Sequence, residues 1–178
     1  MTTVTNSAFP ILPCACANLR RAARAVTRMY NYELLASGLE LTQFTLLMTL
    51  NVTGETTQGH LGKILALDST SLTRMLKALT RRRWIDVKSG RDRRQKLLRL
   101  TSAGRDKFEQ SRQHWQRAQT RLQQALSEPA WNQLGALLAE VARSSEKQRS
   151  ESIAGQFRRK KLSQRADLVR ESSTNQAW

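Results

Sequence analysis

Thr70, Thr73, Arg74, Lys77 and Arg81 recur at three- and four-residue intervals in STSLTRMLKALTR, residues 69–81. A helix turns about 100° per residue, so these side chains share one face, and Leu72, Met75, Leu76 and Leu79 form the stripe opposite. The polar set has the chemistry that the edges of base pairs accept. Arginine pairs bidentately with guanine, and threonine offers a methyl to thymine. Lysine and arginine also neutralise phosphate. Asp68 or Ser69 caps the start, where the first-turn N–H groups face outward and suit an anion. Ser69, Thr70, Ser71, Thr73, Arg74, Lys77 and Arg81 are therefore the candidate DNA contacts on this segment. The plain alternative is an amphipathic surface helix, which by itself the pattern fits equally well.

The neighbourhood tips that balance. Ten residues beyond the helix, SGRDRR places Arg91, Arg93 and Arg94 at one turn, with Asp92 among them. Arginines on a hairpin tip can enter a minor groove. An aspartate between them holds an arginine in place by a charge-assisted hydrogen bond. Residues 74–105 carry twelve basic and two acidic groups, which is most of the net charge of +16. So concentrated a charge points to a polyanionic partner.

The elements that must position these residues follow from periodicity. Residues 1–13 form a flexible arm. A helix is expected over 14–35, with Leu19, Ala22, Ala23, Val26, Met29, Tyr30 and Leu34 as its apolar set. A buried helix follows at QFTLLMTL, capped by Thr42. NVTGETT is expected to be a turn. TQGHLGKILA (57–66) and residues 69–81 make two short helices joined at Leu67-Asp68, a helix-turn-helix. Past Arg83 the period drops to two. WIDVK and QKLLRL then form a hairpin around SGRDRR. Thr101 or Ser102 caps a long helix from about 103 to 126. Ser127 and Pro129 open another helix. The tail, 146–178, is basic and expected to be partly disordered. The fold class is mainly α with a small β-hairpin wing. The DNA-binding part is 55–101, inside a domain of 14–145 whose dimerisation helices are 14–35 and 103–145.

The run LGKILALDSTSLTRMLKALTRRRWIDVKSGRDRRQKLLRLTSAG resembles the MarR family of winged helix-turn-helix regulators. The matching pieces are the Leu-rich first helix, STSLTRMLKAL, a wing with Asp-x-Arg at Asp92 and Arg94, and LRLTSAG. Trp84 stands where that family usually has a small or aliphatic residue. The resemblance implies a homodimer on a pseudo-palindromic operator of double-stranded DNA. Its half-sites would lie about 34 Å apart. Arg94, oriented by Asp92, would sit in the flanking minor groove. It also implies a repressor released by a small-molecule effector or an oxidant.

Cys14 and Cys16 are the only cysteines. Without a convincing export signal the protein is expected to be cytoplasmic and nucleoid-associated, where thiols stay reduced. Two cysteines at i and i+2 of a helix also diverge, which strains a bridge within one chain. Three readings stay open: a redox sensor, a fragment of a soft-metal site, or small residues packed in a dimer seam. One branch of the resembled family senses organic hydroperoxides through a cysteine at Cys16's position, hydrogen-bonded by a tyrosine at Tyr30's. Arg20 replaces a second tyrosine of that branch. Cys14 would then be a resolving partner across the dimer.

No catalytic, metal or cofactor constellation is evident. His60 and His114 are far apart and no His/Cys metal spacing occurs. Gly54 and Gly59 have phosphate-loop spacing, but His60 stands where lysine is required. An enzyme is not expected, nor a membrane partner. A basic architectural nucleic-acid-binding protein without a ligand switch is the competing class.

Overall fold

The computed structural model describes residues 10–90 and 95–148. The chain divides into two units, Met1–Ala125 and Leu126–Trp178. The first contains α1 (Ala15–Leu34), a 3-10 turn (Leu35–Ser37), α2 (Leu41–Thr53), β1 (Thr56–Thr57), α3 (Gln58–Ile64), α4 (Ser69–Arg81), β2 (Ile85–Ser89), β3 (Lys96–Leu100) and α5 (Ser102–Gln124). In the second, described residues 128–148 form one helix, α6.

The sheet has the order β1-β3-β2, with both pairings antiparallel. Ile85 faces Leu100 and Val87 faces Leu98. Thr56 faces Leu98 on the other edge. Ile85, Leu98 and Leu100 point inward and are buried. The two-residue period of WIDVK and KLLRL thus serves a one-sided sheet.

That sheet closes a core of Leu34, Leu39, Phe44, Leu46, Leu47, Leu50, Leu61, Leu72, Leu76, Leu79 and Phe108. Phe44 stacks on Phe108, with centroids 5.4 Å apart, and on Trp115 at 5.8 Å. Burying such rings contributes most of the local cohesion. α1 joins α5 farther along. Tyr30 donates its hydroxyl hydrogen to Gln119 Oε1. Glu33 meets both Arg117 and Arg121. The hydrogen bond and charge of Arg121, aided by Arg117, hold the Glu33 carboxyl below its ordinary pKa.

Several boundaries differ from expectation. α2 begins at Leu41, not after Thr42. Glu40 is its cap, with its side chain on the Gln43 N–H while Gln43 Oε1 accepts from Glu40 N. This reciprocal capping box satisfies two orphan donors, which Thr42 alone could not do. α2 also runs on to Thr53, and Gly54 stops it with φ +68°. The rest of the expected turn holds β1. Thr56 and Thr57 pair there with Leu98 and Leu97, a long-range contact that two polar residues do not announce. The first helix of the helix-turn-helix is shorter than expected, ending at Ile64. In the second unit the Ser127 hydroxyl accepts from Ala130 N at 3.4 Å, the expected cap.

Candidate nucleic-acid interface

α4 is positioned by its own sequence at three points. Asp68 Oδ1 accepts from Thr70 N at 3.0 Å and from Ser71 N at 2.9 Å, which fixes the first turn. Those two bonds, Ser71 foremost, lower the Asp68 pKa. Leu72, Leu76 and Leu79 are buried and anchor the middle. Gly62 of α3 lies against Leu72, where an added Cβ would come within 3.3 Å of Leu72 Cδ2. The turn between the two helices passes through Ala66 with φ +50°. Leu67 N donates to Gly62 O across that turn.

The far end is held from outside the motif. Arg83 has φ +59°, which turns the chain from α4 into β2. Trp84 follows, with the Arg82 guanidinium 4.9 Å from its ring centroid and the Lys107 ammonium 5.3 Å away. Two cations by one indole form an attractive cation–π arrangement. Arg82 Nη1 also donates to Gly38 O, and Lys107 Nζ to Ser37 O. The end of α4, the start of α5 and the turn after α1 therefore meet at Trp84. Gly104 completes the junction. A Cβ there would lie 1.9 Å from Trp84 O, so glycine is required by close approach.

With its ends and apolar stripe fixed, α4 presents a polar face. Ser69, Thr70, Thr73, Arg74 and Lys77 line one shallow concavity of about 440 Å³. Two of the expected contacts fall elsewhere on the helix. Ser71 is half-buried, and Arg81 is exposed in the last turn, outside the concavity. The wing residues Arg91, Asp92, Arg93 and Arg94 lie outside the described residues. Arg99 on the adjacent strand is paired with Asp86 at 3.0 Å.

One residue at this face escaped the sequence reading. Gln58, the first residue of α3, donates from Nε2 to Thr73 Oγ1 at 3.0 Å. The available signal was its place one residue after the Thr57 cap, at the start of α3. Trp84 and Lys107 carried no spacing signal, because they are joined through tertiary contact alone.

Cys14 and Cys16 are both exposed free thiols at the start of α1. Cys14 is the N-cap but makes no side-chain cap bond. The preceding chain is clipped back onto the helix. Leu12 N donates to Asn18 Oδ1, Asn18 Nδ2 donates to Leu12 O, and Arg21 Nη1 donates to Pro10 O. Tyr30 is nearly buried, which raises its phenol pKa, and its hydroxyl is taken by Gln119. Fourteen residues of helix put it about 21 Å from Cys16 in the same chain.

The MarR-family model matches residues 37–95, which run from the turn after α1 to the residue before β3. That segment belongs to the MarR family. It has the architecture of a transcriptional regulator and not of an enzyme. An uncharacterised helix-turn-helix-type transcriptional regulator of Bacillus subtilis, YwoH, is 29% identical over 92 residues, covering 52% of this chain and 67% of that protein. The transcriptional regulator MosR of M. tuberculosis, solved in complex with DNA, is 29% identical with a TM-score of 0.69. That match spans 75% of this chain and 96% of MosR. A cysteine-to-serine variant of MarR from E. coli, complexed with operator DNA, is 26% identical with a TM-score of 0.65, over 71% of this chain and 91% of that one. No described helix is long and apolar enough to cross a membrane.

Proposed function

We propose that the chain is a sequence-specific DNA-binding repressor, acting as a homodimer on a pseudo-palindromic operator. The observation that carries this reading is the α4 face, where Ser69, Thr70, Thr73, Arg74 and Lys77 line one concavity above a buried leucine stripe. Its chemistry suits the major groove. MosR and MarR, both solved with DNA, support it as relatives of the same fold. Arg91, Arg93 and Arg94, with Asp92 orienting Arg94, would take the minor groove. Support for a dimer comes from uncovered apolar residues. Leu19 in α1 and Leu137, Leu138 and Val141 in α6 are exposed in the single chain.

Release by a small effector or by oxidation completes the proposal. Exposed Cys14 and Cys16 at a helix start favour oxidation. The Cys16 thiolate would attack a hydroperoxide oxygen, displace alkoxide and become a sulfenic acid. Cys14 of the partner subunit would then attack that sulfur, forming a disulfide and expelling water. Tyr30 would have to meet the sulfur of the other subunit, given its distance along the helix.

Selection of duplexes from a random library by the purified chain, at fixed salt, tests the DNA reading. The expected result is two inverted half-sites about one helical turn apart. Retention of duplexes without common sequence would favour the architectural alternative. Repeating the binding after cumene hydroperoxide, then dithiothreitol, tests release. Reversible loss in wild type and persistence in Cys16→Ser is expected. Binding indifferent to oxidant would direct the search to small ligands.

A further inference from the structure

Gln58 is half-buried behind the α4 face and touches it at one atom, Thr73 Oγ1. Three threonines of α2 show the alternative that a helical threonine hydroxyl has. Thr45, Thr49 and Thr53 of α2 each turn their hydroxyl hydrogen back onto the carbonyl four residues earlier, at 2.8, 2.9 and 2.9 Å. A threonine so engaged can only accept from an outside group. Thr73 departs from this habit. Among the described residues its hydroxyl has no bond to Ser69 O, and its partner is the Gln58 amide. A hydroxyl carries one hydrogen and two lone pairs. Gln58 occupies a lone pair from the α3 side, which leaves the hydrogen available to the concavity that Thr73 lines.

We infer that Gln58 is a positioning residue that makes Thr73 a hydrogen-bond donor toward the base pair it meets. The inference rests on α4 being the reading helix. Its consequence is a base preference. Thymine offers O4 to that hydrogen and its C5 methyl to Thr73 Cγ2, so one position per half-site should favour thymine. Cytosine presents an N4 donor instead and should be rejected there.

The side chain at position 58 should then be able to reverse the preference without touching DNA. Methionine has similar length but no amide. It frees Thr73 to turn inward. Glutamate is an acceptor only, so it would draw the Thr73 hydrogen inward and expose a lone pair. A lone pair selects a base with a donor, adenine N6 or cytosine N4.

The test measures affinity of the full chain for its selected operator with every base pair substituted in turn. Wild type, Q58M, Q58E, T73V and the double variant Q58M/T73V are compared, with random duplex as the control. Q58M and T73V should each lower the thymine preference at one position about tenfold, and the double variant no further than T73V. Q58E should move the preference to adenine or cytosine. Random-duplex affinity should stay unchanged in Q58M. A wild-type preference in Q58M alongside a loss in T73V overturns the role of Gln58 and leaves the reading helix standing. T73V with unaltered preference at every position overturns the inference, because Thr73 would then read no base, while the placement of α4 is decided separately by Arg74→Ala. Equal loss on operator and random duplex in Q58M also overturns the inference, because Gln58 would then act through folding.

Discussion

α4 and the first half of α1 are both amphipathic helices entered from an extended residue, yet only one is complete within the chain. α4 is capped by Asp68 through two backbone bonds and buries Leu72, Leu76 and Leu79. α1 is entered at Cys14 with no side-chain cap bond, and its buried residues are Tyr30 and Leu34, both near its far end. Its early apolar residue Leu19 is 40% exposed, and Ile11 in the segment before it is 92% exposed. α4 thus spends its apolar face on its own core and offers its polar face outward. The start of α1 still carries apolar surface that a single chain does not cover. The difference separates a surface made for a polar partner from one made for an apolar partner.

The comparison can be broken hardest at the junction that holds α4. Gly104→Ala forces a methyl against Trp84 O. It should cost about 3 kcal/mol, at the upper end of overpacking, read from the urea midpoint. An unchanged midpoint would mean that α5 can move away from Trp84 freely. Leu72→Ala should cost a similar amount, about 3 kcal/mol, by leaving a cavity beside Gly62. Leu19→Ala on α1 should change monomer stability by less than about 0.5 kcal/mol. It should weaken self-association instead, measured by sedimentation. Equal losses of stability at Leu72 and Leu19 would erase the contrast between the two helices.

The caps give smaller, opposite effects. Asp68→Ala should lower stability, because the cap bonds to Thr70 N and Ser71 N are lost. Its carboxyl is held below its ordinary pKa by the folded cap. The cap's contribution is therefore full above the unfolded value of about 3.9 and fades as pH falls through the lower folded value. Stability measured from pH 6 downward should show that loss in wild type and less of it in Asp68→Ala. Cys14→Ser should raise stability by about 0.5 kcal/mol, because serine can supply the cap bond that Cys14 does not make. No gain there would show that water satisfies the first-turn N–H groups as well as a serine hydroxyl does.

Much of this was legible in the sequence because it is local. The α4 face follows from spacing alone, and Asp68, Thr101 and Ser127 announce their helices by residue type. β1 was not legible, since Thr56 and Thr57 become a strand only by pairing with Leu98 and Leu97. Glu40 is a weaker cap signal in sequence than Thr42, and the reciprocal Gln43 bond decides between them. Gln58, Trp84 and Lys107 act across elements, so no periodicity marks them. The spacing of Cys16 and Tyr30 on one helix was legible and places them far apart in one protomer. Gln119 as the Tyr30 partner was not.

The most direct measurement is the ratio of affinities for the selected operator and for random duplex, at one salt concentration, in wild type and Arg74→Ala. Arg74 lies on the α4 face and lines the concavity. The ratio should fall by about tenfold or more in the variant, with a smaller loss on random duplex. A ratio unchanged from wild type would contradict the assignment of α4 as the element that reads DNA.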